Sequence, residues 1–223
     1  MMKKYRHLRI IGTSHIAKES LKEVEQAILE LEPSVIAIEL DHKRLIALFQ
    51  KTKSKLSIAD IKRIGVGGYI FSKFGSYAER KLGDYVGVTP GSEMKKAITL
   101  AKEKNIPIAL IDQDIEITLR NLKRISWKEK RNFIVDILGA IFKRKPFEFD
   151  LTKVPSQKVI EKMMASLKKR YPNVHSVLIE ERNRVMANNL KRVMEKYPDK
   201  LILAVMGAGH VNDVITLLSK EIL

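Results

Sequence analysis

Two short segments carry the same four-residue pattern, Gly-x-x-His, and each closes an apolar run. Leu8-Arg9-Ile10-Ile11 leads into Gly12-Thr13-Ser14-His15. Leu201-Ile202-Leu203-Ala204-Val205-Met206 leads into Gly207-Ala208-Gly209-His210. Chance would place glycine three residues before two of the five histidines only about 2–3% of the time. An imidazole at a strand exit can bind a divalent metal or move a proton. Two of them at matching positions, from opposite ends of the chain, suggest one site assembled by the fold. The plainer reading of each glycine is that it lets the backbone turn from strand into helix. Gly207-Ala208-Gly209 also suits an amide cradle for phosphate, but no Gly-Lys-Ser/Thr follows and the full dinucleotide fingerprint is missing.

The elements that must position these histidines read as alternating strands and helices. Buried strands are predicted over 7–12, 35–38, 106–111 and 201–206. Helical stripes run from Ala17 to Leu31, from Glu93 to Lys104 with Ser92 as its cap, from about Val174 to Lys196, and onward from His210. The pattern predicts an α/β fold with a mainly parallel central sheet and flanking helices. Residues 43–90 and 115–170, rich in lysine and arginine and broken by glycines and prolines, form a basic helical insertion in a single domain over 1–223.

Ligands of such sheets bind outside the carboxyl ends of the strands. Those ends carry His15, Glu39 with Asp41, Asp112 with Asp114, and His210. Two imidazoles plus a carboxylate suit a catalytic metal with open positions. Glu39 lies in an apolar run and needs a partner, and Arg44, five residues on, is the nearest candidate in sequence. In Glu180-Glu181-Arg182-Asn183, inside the long helix, one face must look inward, although surface charge is the plainer reading. His7, His42 and His175 lack comparable context. Ser14 beside His15 is not in a nucleophile-elbow sequence.

Composition narrows the classes. Cysteine is absent, which removes disulfides, thiol nucleophiles and cysteine-based zinc sites. The formal charge of +16 favours anionic partners such as lipid headgroups, or reflects a lysine-rich surface that aids solubility. The basic runs have no aromatic interleaving and match no nucleic-acid motif, so no specific nucleic-acid partner is expected. A homo-oligomer is compatible with the sequence.

Taken together, these residues resemble the TraB/PrgY family, named for pheromone shutdown proteins. The resemblance is carried by Gly12-Thr13-Ser14-His15, Glu32-Pro33-Ser34-Val35, Ile38-Glu39-Leu40-Asp41 with Arg44, and Pro90-Gly91-Ser92-Glu93-Met94. It continues through Asp112-Gln113-Asp114 with Thr118-Leu119-Arg120, Glu181-Arg182-Asn183 with Met186, and Gly207-Ala208-Gly209-His210-Val211. The nearest likeness is to the archaeal branch. The family is related to the Tiki metal-dependent proteases, and more distantly to erythromycin esterases and haem-binding ChaN-like proteins.

The resemblance implies a site of His15, His210 and Glu39 around a divalent metal, manganese or cobalt, with zinc also suited to such ligands. It implies catalytic roles for Arg44, Glu93, Glu181 and Arg182, with substrate bound by Arg120, Asp112 and Asp114. The expected function is a metal-dependent hydrolase acting on a peptide or protein. The alternative is a non-catalytic module that binds a peptide or anion, its basic insertion facing an anionic membrane surface. Family members often continue into membrane helices, so a membrane-associated full-length protein is expected.

Overall fold

The centre of the sheet is built from three runs, 8–13, 35–38 and 202–207, whose side chains are buried on both faces. A computed structural model describes residues 2–14, 18–50, 91–142 and 156–220, with isolated positions at 65, 69, 73 and 89. In chain order the described elements begin with β1 (Met2–Tyr5), β2 (Leu8–Thr13), α1 (Lys18–Leu31), β3 (Val35–Ile38) and α2 (His42–Phe49). They continue with α3 (Ser92–Glu103), β4 (Ile108–Leu110), α4 (Ile115–Asn121) and α5 (Trp127–Phe142). The last are α6 (Gln157–Arg170), α7 (Pro172–His175), α8 (Glu181–Lys196), β5 (Ile202–Gly207) and α9 (Val211–Lys220). Most of the predicted insertion between 51 and 90, and all of 143–155, lies outside the described residues.

The strand order is β1-β2-β5-β3-β4. Four strands run parallel, and β1 pairs antiparallel with β2. The period of two divides each strand between two cores. Leu8, Ile10, Val35, Ala37, Ile202, Ala204 and Met206 pack with α8 and α9 on one face. Ile11, Ile36, Ile38, Leu203 and Val205 pack with α1 and α3 on the other. A smaller cluster of Leu122, Ile125, Tyr171, Val174 and Val177 joins the segment after α4 to the helix that begins at Pro172. Glu129 of α5 accepts from the amides of Asn173 and Val174, each at 3.1 Å, which fixes the start of that helix.

The sequence expectations need three corrections here. The first strand expected from the sequence is 7–12, but Met2–Tyr5 forms an edge strand ahead of it. Its turn is made by Arg6 at φ 50, where a sequence signal would need glycine or asparagine. The cap of α3 is Gly91, at φ 81, while the Ser92 hydroxyl donates instead to the Thr89 carbonyl at 2.7 Å. Finally, the long helix begins at Pro172 and contains a π-helical turn at Ser176–Glu180. Such a turn holds one extra residue, so it rotates every later side chain relative to a continuous α-helix.

Candidate functional site

The site follows from where the strands stop. After β2 the chain enters α1 on one face of the sheet, and after the adjacent β5 it enters α9 on the other. Connections that diverge in this way leave a crevice beyond the strand ends. The first and last motif segments sit side by side there. Gly12 pairs with Met206 and Thr13 with Gly207, while the Ala208 amide donates to the Thr13 carbonyl at 2.8 Å. A methyl group on Gly12 would meet Val211 Cγ2 at 3.0 Å and Ala208 Cα at 3.1 Å. Gly12 is therefore needed for the two segments to approach, not only for a turn.

That contact makes a prediction. Gly12→Ala is expected to cost about 1–3 kcal/mol, because backbone and a packed valine must shift. Gly209→Ala should stay within about 0.5 kcal/mol, since its methyl would meet only the flexible Met164 side chain, at 3.4 Å. Urea midpoints of the two variants check this; equal midpoints would refute the close-approach argument.

The crevice opens into a cleft of about 560 Å³. Its polar floor has Thr13, Ser14, Glu39, Arg44, Arg182 and the Gly207–His210 segment, and its apolar wall has Ile160, Met163, Met164, Leu178 and Ile179. Glu39 follows β3 and continues its ladder by donating its amide to the Val205 carbonyl at 3.1 Å. Its side chain is 1% exposed. Oε2 accepts from the Gly207 amide at 2.5 Å, and Oε1 accepts from Arg182 Nη2.

Arg182 bridges two buried carboxylates. Its Nε and Nη2 donate to the two oxygens of Asp112, at 3.0 and 2.8 Å, the fork-to-fork geometry that makes such pairs strong. Its Nη1 reaches the Leu178 carbonyl at the π turn, at 3.3 Å. Burial alone would lower the guanidinium's pKa, but the charges of Glu39 and Asp112 and their hydrogen bonds outweigh it and hold the pKa above its ordinary value. Asp112 also accepts from Arg44 Nη1 at 2.5 Å. The expected partnership of Glu39 with Arg44 is thus corrected: Arg182 holds Glu39, and Arg44 holds Asp112. The four side chains form an alternating network with no net charge.

His210 is buried at the foot of the cleft, ahead of α9. Its Nδ1 lies 2.6 Å from Asn183 Oδ1, and its Nε2 lies 3.5 Å from Glu39 Oε1. That second spacing exceeds a hydrogen bond. The two atoms are close enough that both could ligate one divalent ion. His15, the third expected ligand, lies outside the described residues, although Ser14 before it lines the cleft. Among the described residues, no group of three or more histidine or acidic side chains gathers closely enough to hold an ion.

The remaining expected site residues stand elsewhere. Glu181 faces sideways, bound by Asn121 at 2.7 Å and by Arg124, and joins α8 to the end of α4. Asp114 caps α4 by accepting from the Glu116 amide at 2.7 Å, which, together with Lys43, holds its carboxyl below the usual range. Arg120 is exposed on α4, and Glu93 is buried in the first turn of α3. None of the four lines the described cleft. Sequence reasoning gave no role to Asn183 and omitted Asp213, whose Oδ2 accepts from Asn183 Nδ2 at 3.0 Å. It also omitted the apolar wall. Nothing in the sequence marks these residues beyond Asn183's place in a motif.

Fold and cleft together define a class: an α/β domain with a polar strand-exit cleft whose floor includes Thr13, Ser14 and the Gly207–His210 segment. The chain belongs to the TraB/PrgY/gumN family, whose profile matches residues 3–221. It is 38% identical over 218 residues to the uncharacterized protein MJ1365 of Methanocaldococcus jannaschii, covering 95% of this chain and 53% of that protein. It is 25% identical over 230 residues to a bovine TraB domain-containing protein and 24% to the human one, in each case covering 91% of this chain and 60% of the relative. The chain thus spans between half and two thirds of the length of these curated relatives. Among the described residues, no helix is long and apolar enough to cross a membrane.

Proposed function

We propose that the cleft is the active site of a metal-dependent hydrolase that acts on a peptide or protein. The observation that carries this reading is the convergence of His210 Nε2 and Glu39 Oε1 to 3.5 Å on the floor of a cleft at a sheet switch point. His210 and Glu39, with His15, would hold the ion, and manganese or cobalt is the expectation from the likeness to Tiki proteases. A divalent ion at such a site polarises a carbonyl and acidifies a bound water.

The chain's own residues supply the rest. Arg44 is about one-third exposed at the cleft, so its guanidinium can donate to an oxygen that gains negative charge during acyl transfer. Asp112 fixes that guanidinium from below. Arg182 and the Gly207 amide hold the Glu39 carboxylate in one orientation. The apolar wall, with Met163 about half exposed, suits an apolar side chain beside the reacting group, and methionine adapts to varied shapes.

The test is metal content after dialysis against manganese or cobalt. Wild type should retain close to one ion per chain, and His15→Ala and His210→Ala should lose it with folding intact by circular dichroism. Retention equal to wild type in both variants would remove the site assignment. One observation favours the second reading, a non-catalytic peptide- or anion-binding module. Arg182 already sits on Glu39 Oε1, the oxygen nearest His210, so a cation there must share or displace it. Wild type without bound metal, but with saturable peptide binding, would support that module.

A further inference from the structure

We propose that Asn183 and Asp213 are positioning residues that fix the tautomer of His210, placing its hydrogen on Nδ1 and turning the lone pair of Nε2 toward the cleft. The inference deepens the reading of His210 as a working residue of the cleft. It does not depend on whether metal binds.

Asp213 lies in the first turn of α9, three residues after His210, and its ionised carboxylate can only accept. Asn183, 1% exposed in α8, places Nδ2 3.0 Å from Asp213 Oδ2. The amide has one donor end and one acceptor end, so this contact fixes its orientation and points Oδ1 at His210. Oδ1 lies 2.6 Å from His210 Nδ1. An amide oxygen cannot donate, so Nδ1 must carry the hydrogen. In the neutral ring the lone pair then belongs to Nε2, the nitrogen that faces Glu39 Oε1 across 3.5 Å.

The chain Asp213–Asn183–His210 joins two helices that pack against the same face of the sheet. It orients a ring whose own backbone is held by the bond from the His210 amide to the Gly207 carbonyl, at 2.9 Å. Outer partners of this kind are how proteins choose which imidazole nitrogen is offered to a ligand or proton. A glutamine at position 183 would be a turn of bonds too long to keep both contacts, whereas aspartate would keep the acceptor facing Nδ1.

Long-range proton–nitrogen correlation on metal-free, ¹⁵N-labelled full chain reads the tautomer directly. The His210 ring is assigned by its loss in His210→Gln. At a pH where the ring is neutral, wild type should show a protonated Nδ1 and an unprotonated Nε2. Asp213→Ala frees the amide to turn and should raise the Nε2-protonated share about fivefold or more, the change that losing one net hydrogen bond corresponds to. Asn183→Asp should keep Nδ1 protonated. A purely structural role for Asp213 would alter stability but not the tautomer. A wild-type spectrum with the hydrogen on Nε2, or an unchanged distribution in Asp213→Ala, would overturn the proposal. Manganese titration of the same samples separates the two readings. Protonated Nδ1 without metal uptake supports this inference and removes the metal, whereas metal uptake with the hydrogen on Nδ1 absent overturns this inference alone.

Discussion

Arg182→Met is expected to destabilise the protein by about 3–5 kcal/mol, the usual cost of removing one partner from a buried ion network. Glu39 and Asp112 are 1% and 0% exposed at their side chains, and the Arg182 guanidinium joins them. Without it, Glu39 loses the guanidinium on Oε1 and retains the Gly207 amide on Oε2. Asp112 keeps Arg44 and the Gln113 amide, at 2.5 and 2.8 Å. Methionine fills a similar volume, so the loss measures charge and hydrogen bonding, not a cavity. For a chain of this size the melting temperature should fall by roughly 10 °C, and the urea midpoint should shift with an unchanged slope.

Two companion variants locate the cause. Arg182→Lys keeps the charge but not the planar fork, so it should fall between wild type and Arg182→Met. Adding Asp112→Asn to Arg182→Met removes one of the stranded charges and should recover part of the loss. If Arg182→Met alone were as stable as wild type, the network would not be holding the strand exits together.

The sheet was legible because its four parallel strands are largely apolar runs, which polar segments cannot imitate. The edge strand was not, because Met2-Lys3-Lys4-Tyr5 alternates between exposed and half-buried residues and its turn has neither glycine nor asparagine. The strand exits were equally legible, so Glu39, Asp112 and His210 could be named as soon as the strands were placed. Their partners were hidden. Arg44 is close to Glu39 in sequence, yet Glu39 bonds an arginine 143 residues away. Which face of the long helix meets the strand ends depends on the π turn at 176–180, and periodicity read as a plain α-helix misses that rotation. Glu181, Asp114 and Arg120 show the reverse limit. Their motif positions identify charged residues, but only the fold reveals that Asp114 caps a helix and Glu181 ties two helices together.

These observations give the strand-exit network two separable duties. Arg182, Asp112 and Arg44 neutralise buried charge and hold β3, the segment after β4, and α8 in place. Glu39 and His210 face the cleft, and Asn183 with Asp213 orient the ring. Glu39 belongs to both groups, so a change there is the most informative single test of how structure and chemistry share the site.

Glu39→Gln is expected to cost about 2–3 kcal/mol, although it changes neither size nor shape. Glu39 accepts on both oxygens, from Arg182 on one and from the Gly207 amide on the other. Glutamine offers one oxygen and one NH₂ group, so either rotamer sets a donor against a donor. A buried donor left in that position costs about 1–3 kcal/mol, and more when it is charged. The loss stays below that of Arg182→Met because the fork between Arg182 and Asp112 survives. Under the metal reading the same variant should also fail to retain manganese, measured at a temperature where it is fully folded. The two effects need not travel together. A stable Glu39→Gln would contradict the acceptor geometry at the strand exit, whereas an unstable variant that still held manganese as wild type does would leave Glu39 as a structural anchor and assign the ion to the histidines.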